Sequence, residues 1–120
     1  MAQAHQDLKV WQRAMEMAVQ VYESTKAFPR DEIYGLTSQL RRAAVSVASN
    51  IAEGRGRCTP GEFRQFLGMA QGSNYEVQTQ LGLSRRLNFG HAAQLQKSED
   101  LSVEVGKMLS ALMSSIATRS

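Results

Sequence analysis

Apolar residues recur at alternating spacings of three and four along most of the chain, the period of helices rather than strands. Leu36, Leu40, Ala43, Val47 and Ile51 fall on one stripe, and Ala44, Ala48 and Ala52 form a neighbouring row of methyl-sized side chains that lets another helix approach closely. This stretch, predicted helical from about Glu32 to Glu53 with Asp31 as cap, is the spine of the pattern. Gly54 follows it, where a left-handed residue commonly ends a helix.

Upstream, after a frayed tail over Met1–Gln6, a helix is predicted from Asp7, its cap or first-turn acid, to Ala27. Leu8, Trp11, Met15, Ala18 and Tyr22 form one apolar set, and Val10, Ala14, Met17 and Val21 a second, about 100° round the cylinder. Such a helix has two surfaces to bury: one faces its own bundle, and the other faces either a second subunit or more of the same domain. Phe28-Pro29 ends it, because proline disfavours helical geometry at the preceding residue.

Downstream, Thr59-Pro60-Gly61-Glu62 has the spacing of a capping box and opens a third helix. Its seam is Phe63, Phe66, Leu67, Ala70, Asn74, Val77, Leu81 and Ser84. Gly68, Gly72 and Gly82 lie off that seam, and each costs about 1 kcal/mol relative to alanine, so a neighbouring helix or subunit is expected to press on that backbone. Asn88-Phe89-Gly90 is a stop signal. A last helix is expected from His91 to about Thr118, with a break near Ser98 and a stripe of Leu101, Val105, Met108, Leu112 and Ile116. Four helices with short loops predict one all-α domain over residues 1–120, an up-and-down antiparallel four-helix bundle. Asn50, Glu53, Asn74 and Gln80 are expected to form its structural polar network, since an amide on an apolar stripe needs partners.

The net charge is only +3, but it is unevenly placed. Between Arg41 and Arg86 stand seven arginines against three acids, Glu53, Glu62 and Glu76, so this block carries +4 and the rest of the chain −1. Arg41, Arg42, Arg55, Arg57, Arg64, Arg85 and Arg86 are either solvated helix faces or an anion-binding patch. Every basic residue in the block is arginine, whose planar fork suits phosphate. The turn Gly54-Arg-Gly-Arg-Cys-Thr59 leaves Arg55 and Arg57 free to meet an anion, while Arg85-Arg86 also suits the negative end of the helix dipole.

Little else in the chain suggests chemistry. Neither His5 nor His91 has a glutamate three residues before it, as a di-iron bundle needs, and one cysteine with two distant histidines cannot fill a zinc site. Cys58 lacks a partnered histidine or a second cysteine. The reading is therefore a non-enzyme with no cofactor and no metal. No apolar run approaches the roughly 20 residues that span a bilayer, and no signal segment opens the chain, so a cytoplasmic protein is expected.

Longer blocks carry a resemblance. They are Asp7-Leu8-x-Val10-Trp11-Gln12-x-Ala14, Gly35-Leu36-Thr37-x-Gln39-Leu40-Arg41-Arg42-Ala43-Ala44-Val45-Ser46, Ser49-Asn50-Ile51-Ala52-Glu53-Gly54, Glu62-Phe63-x-x-Phe66-Leu67 and Glu76-x-x-Thr79-Gln80-Leu81. Together they resemble the small bacterial four-helix-bundle family first noticed in intervening sequences of large-subunit ribosomal RNA genes. Ala48, Gln78 and Phe89 depart from that family's usual proline, glutamate and tyrosine. The resemblance implies a ring of five subunits, and extends to the accessory protein of diversity-generating retroelements, which binds nucleic acid and a reverse transcriptase. The expected function is a homopentamer that grips nucleic acid through its arginines; the alternative is a scaffold that recruits a protein partner such as a reverse transcriptase.

Overall fold

The computed structural model describes residues 4–119, with side chains through Ile116. Four helices account for most of them: α1 Lys9–Thr25, α2 Leu36–Arg55, α3 Pro60–Arg86 and α4 Ala92–Arg119. Short 3-10 turns at His5–Asp7 and Arg30–Glu32 precede α1 and α2. The helices run up and down in a bundle 46 Å long and about 20 Å across, each packed on its two neighbours. No helix among the described residues is long and apolar enough to cross a membrane.

The core follows the 3.6-residue period. Val10, Ala14, Met17 and Val21 from α1 meet Leu40, Ala44, Val47 and Ile51 from α2, Leu67, Ala70, Val77 and Leu81 from α3, and Leu95, Val105 and Leu109 from α4. The other apolar set of α1 divides: Ala18 is buried, Leu8 and Trp11 are half-buried against the core, and Met15 and Tyr22 are exposed. On α4 the buried stripe is Leu95, Ser98, Ser102, Val105, Leu109 and Ile116, so Leu101, Met108 and Leu112 flank the core rather than form it.

Several expectations about helix ends need correction. Asp7 does not cap α1; it lies in the 3-10 turn, and of the frayed tail expected over Met1–Gln6, residues 1–3 lie outside the described residues while His5 and Gln6 belong to that same turn. Asp31 does not cap α2 either: Glu32 reaches forward, and its Oε1 accepts from the Leu36 N–H at 3.0 Å. Gly54 is not left-handed. It sits buried within α2, where a Cβ would lie 2.6 Å from Phe66 Cβ and 3.3 Å from the Phe63 carbonyl oxygen, so its role is close approach of α2 to α3. The break near Ser98 is absent because that side chain is satisfied across the core, bonding Ser24 Oγ at 2.9 Å.

Two local signals are realised. Thr59 Oγ1 accepts from the Glu62 N–H at 3.1 Å with Pro60 in the first turn, so Thr59→Ala is expected to cost about 1 kcal/mol, read as a lowered urea midpoint at unchanged slope. Asn88 and Gly90 adopt positive φ of 58° and 74° and stop α3. The Phe89 ring then packs tilted against Phe28, centroids 5.7 Å apart, tying the α3–α4 loop to the α1–α2 loop.

Candidate nucleic-acid interface

The bundle divides the seven arginines between its two ends and one face. At the α2–α3 turn, Gly56 N–H closes α2 onto the Ala52 and Glu53 carbonyls, and the chain turns straight into the Thr59 cap. That geometry folds the turn arginines back onto α3. Arg57 donates to Glu53 Oε2 at 2.9 Å and lies 4.7 Å above the Phe66 ring, while Arg55 lies 5.9 Å from the Phe63 ring. Arg57 is therefore held rather than free, and Arg55 has no carboxylate partner among the described residues. Arg64, one turn into α3, donates from Nε to the Met113 carbonyl of α4 at 3.3 Å.

At the opposite end, Arg41 stacks over Tyr22 at 4.6 Å and donates to Thr25 Oγ1 at 2.9 Å. Arg85 grips both Glu99 oxygens at 2.8 and 3.0 Å and also donates to Gln96. Its hydrogen bond to Glu99 raises its pKa above the usual guanidinium value, with partial desolvation opposing and the Glu99 charge adding. The charge of Arg85 is thus matched within the fold, whereas exposed Arg86 has no such pair among the described residues. Arg64 and Arg85 are separated by roughly 30 Å of helix, so one protomer does not gather the seven into a single patch.

Arg42 follows Arg41 near that same end but on another face of α2. It lines an open polar cavity of about 310 Å³ between α2 and α3 with Gln39, Ser46, Glu76 and Gln80, the Gln39, Arg42 and Glu76 side chains exposed at the rim.

The expected polar network also separates into parts. Asn50 donates to Ser46 of its own helix, and Ser46 bonds Ser73 across to α3. Glu53 serves Arg57, and Gln80 reaches Gln39 weakly at 3.4 Å. Asn74 points the other way, to α4, where Nδ2 donates to the Ser102 carbonyl at 2.9 Å and Oδ1 accepts from the Ser102 hydroxyl at 2.7 Å. Helical spacing placed each amide beside a seam; which neighbour it met depended on how each helix turned about its axis.

Two surfaces that the sequence marked only in part stand uncovered in the protomer. An open groove of about 660 Å³ runs between α1 and α2, lined by Trp11, Met15, Val19, Tyr22 and Val45 over a floor of Ala18, Ala48 and Ala52. The second apolar set of α1 signalled part of it, while Val19 and Val45, 61% and 43% exposed, lay outside every stripe. The other is the outer face of α3: Gly68, Gly72 and Gly82 have no atom within 4 Å of where a Cβ would sit, so nothing in the protomer presses on them.

The model of the 23S rRNA-intervening sequence protein family matches residues 6–111. The chain belongs to that family. A solved structure from Bacteroides thetaiotaomicron, described as a protein of unknown function from the S23 ribosomal protein family, shares the bundle with a TM-score of 0.77 at 21% identity. The likeness covers 87% of this chain and 97% of that one. No curated protein matches this chain. Membership in the intervening sequence family and this common fold agree with the four helices observed.

Proposed function

We propose that this chain is a non-enzymatic, cytoplasmic homo-oligomer that holds nucleic acid by its phosphate backbone. The carrying observation is the α2–α3 turn end, where Arg55 and Arg57 line one pocket and Arg64 follows one turn into α3, with Glu53, Glu62 and Asp7 as the acids near them. A guanidinium offers five donors, so the single bonds made by Arg57 and Arg64 leave both able to meet phosphate. One protomer is weakly cationic there. A ring repeats the cluster once per subunit and concentrates it, and the family resemblance gives five.

Assembly is supported by two unlike surfaces that the protomer leaves uncovered, the α1–α2 groove and the glycine face of α3. Unlike surfaces meeting head to tail can close into a ring. Static light scattering should give a multiple of 13.3 kDa at micromolar protein. Fluorescence anisotropy should show binding that weakens with salt, log affinity falling against log salt concentration with a slope of about −0.9 for each duplex phosphate neutralised, and the triple variant R55A/R57A/R64A should flatten that slope. A monomer, or binding indifferent to salt, would sink the reading.

The rival is a scaffold that recruits a protein partner such as a reverse transcriptase, as the resemblance to the retroelement accessory protein implies. The apolar α1–α2 groove is the observation in its favour. A single protein partner retained after nuclease treatment, with no nucleic-acid binding by the purified chain, would replace the first reading.

A further inference from the structure

We propose that the polar cavity between α2 and α3 reads an unpaired guanine base, by its edge, while the arginines hold the strand; the inference rests on the nucleic-acid reading above. The cavity is built by helical spacing: Gln39, Arg42 and Ser46 share one face of α2, and Glu76 and Gln80 share one face of α3. Two cross-helix contacts bracket it, Ser46 with Ser73 at 2.9 Å and Gln80 with Gln39 at 3.4 Å. Arg42 and Glu76 lie between those contacts, one from each helix. They do not pair with each other or with any other group among the described residues, although both line the same 310 Å³ space. Elsewhere among the described residues arginines do take carboxylate partners: Glu16 and Glu104 meet Arg13, Glu53 meets Arg57, and Glu99 meets Arg85.

A second observation marks the same wall. Gln80 Oε1 is shut off from solvent and has no hydrogen-bond partner, a standing cost that would be relieved if the amide turned its oxygen towards a donor brought into the cavity.

The chemistry required follows from the donors and acceptors. Opposite charges kept apart across a polar space suit a neutral ligand with two adjacent donors for the carboxylate and a neighbouring acceptor for the guanidinium. Among the nucleobases guanine alone offers this: N1–H and the 2-amino group for Glu76, and O6 with N7 for Arg42. Adenine, cytosine and uracil each lack the paired donors. The volume stands at the lower end of the roughly 300–1,000 Å³ usual for small-ligand sites, and no aromatic ring lines the cavity, so recognition is by edge rather than by stacking. A base within a duplex has its donor edge occupied, so the site selects a single strand or a loop.

The test uses the full chain with labelled hexauridine and the same hexamer carrying one central guanosine, adenosine or inosine. Guanosine should tighten binding about tenfold over uridine, since one bidentate base contact is worth roughly 1–3 kcal/mol of discrimination. Inosine, which lacks the 2-amino group, should lose most of that gain, and E76Q should abolish the preference while leaving the hexauridine affinity unchanged or raised. Equal binding of all four hexamers, with salt dependence intact, overturns the guanine site and leaves the phosphate reading standing. If no hexamer binds, the phosphate reading fails, and saturation-transfer NMR with GMP and AMP decides the base: a GMP signal removed by E76Q supports the site, and equal signals or none overturn it.

Discussion

Asn74→Ala should destabilise the bundle by about 2–4 kcal/mol, seen as a fall in the urea midpoint, whereas Asn50→Ala should cost under about 1 kcal/mol. The two amides look alike in sequence but differ in what they hold. Asn74 has no exposed surface and bonds Ser102 twice, through Nδ2 and Oδ1, so truncation removes two buried bonds, orphans a hydroxyl and opens a cavity between α3 and α4. Asn50 is half-buried and bonds only to Ser46, four residues back on its own helix, where water can replace the amide. Asn74→Asp adds a test of sign. A carboxylate there would be desolvated and would face the Ser102 carbonyl, raising its folded-state pKa above the ordinary value near 3.9. The folded state then binds the proton more tightly than the unfolded one, so stability is greatest below about pH 4 and is lost as pH rises towards neutrality. A urea midpoint for this variant that does not fall between pH 4 and pH 7 would contradict the desolvated site.

Alanine at the helical glycines should split by position. Gly54→Ala is expected to lose about 1–2 kcal/mol net, because overpacking of about 1–3 kcal/mol outweighs the propensity gained in replacing a helical glycine. The added methyl would meet Phe66 Cβ at 2.6 Å and the Phe63 carbonyl, and neither is the far end of a flexible side chain. Gly68→Ala and Gly72→Ala meet nothing within 4 Å, so each should stabilise an isolated protomer by about 1 kcal/mol. If a second copy packs on that face, the same two substitutions should instead lower the mass measured by light scattering. The pair of readouts separates a free helix surface from a covered one.

The contrast among these glycines also shows which features were legible in the chain. Thr59-x-x-Glu62, the Leu67-to-Ser84 seam and Asn88-Phe89-Gly90 were readable because each is settled within a turn or two of backbone. Gly54 was not, since the same letter serves a left-handed cap or a close crossing, and only Phe63 and Phe66 from another helix decide between them. The arginines were legible as a charged block and not as a surface. Glu99 lies 14 residues beyond Arg85 and Tyr22 lies 19 before Arg41, so the partners that distinguish a matched guanidinium from an unmatched one enter only with the packing of the helices. The cavity at Arg42 and Glu76 escaped for the same reason: its two charges come from different helices, and their failure to pair is a property of the assembled bundle.

The contact between Phe28 and Phe89 bears on how copies of this chain can meet. One helical hairpin is α1 with α2, the other α3 with α4; the α2–α3 turn joins them covalently at one end, and the two rings clasp them at the other. Trading a hairpin between molecules means swinging the halves apart about that turn, and the aromatic clasp opposes the swing. Any association between copies would thereby be steered towards whole, closed bundles, rather than into the open-ended chains that reciprocal exchange can propagate.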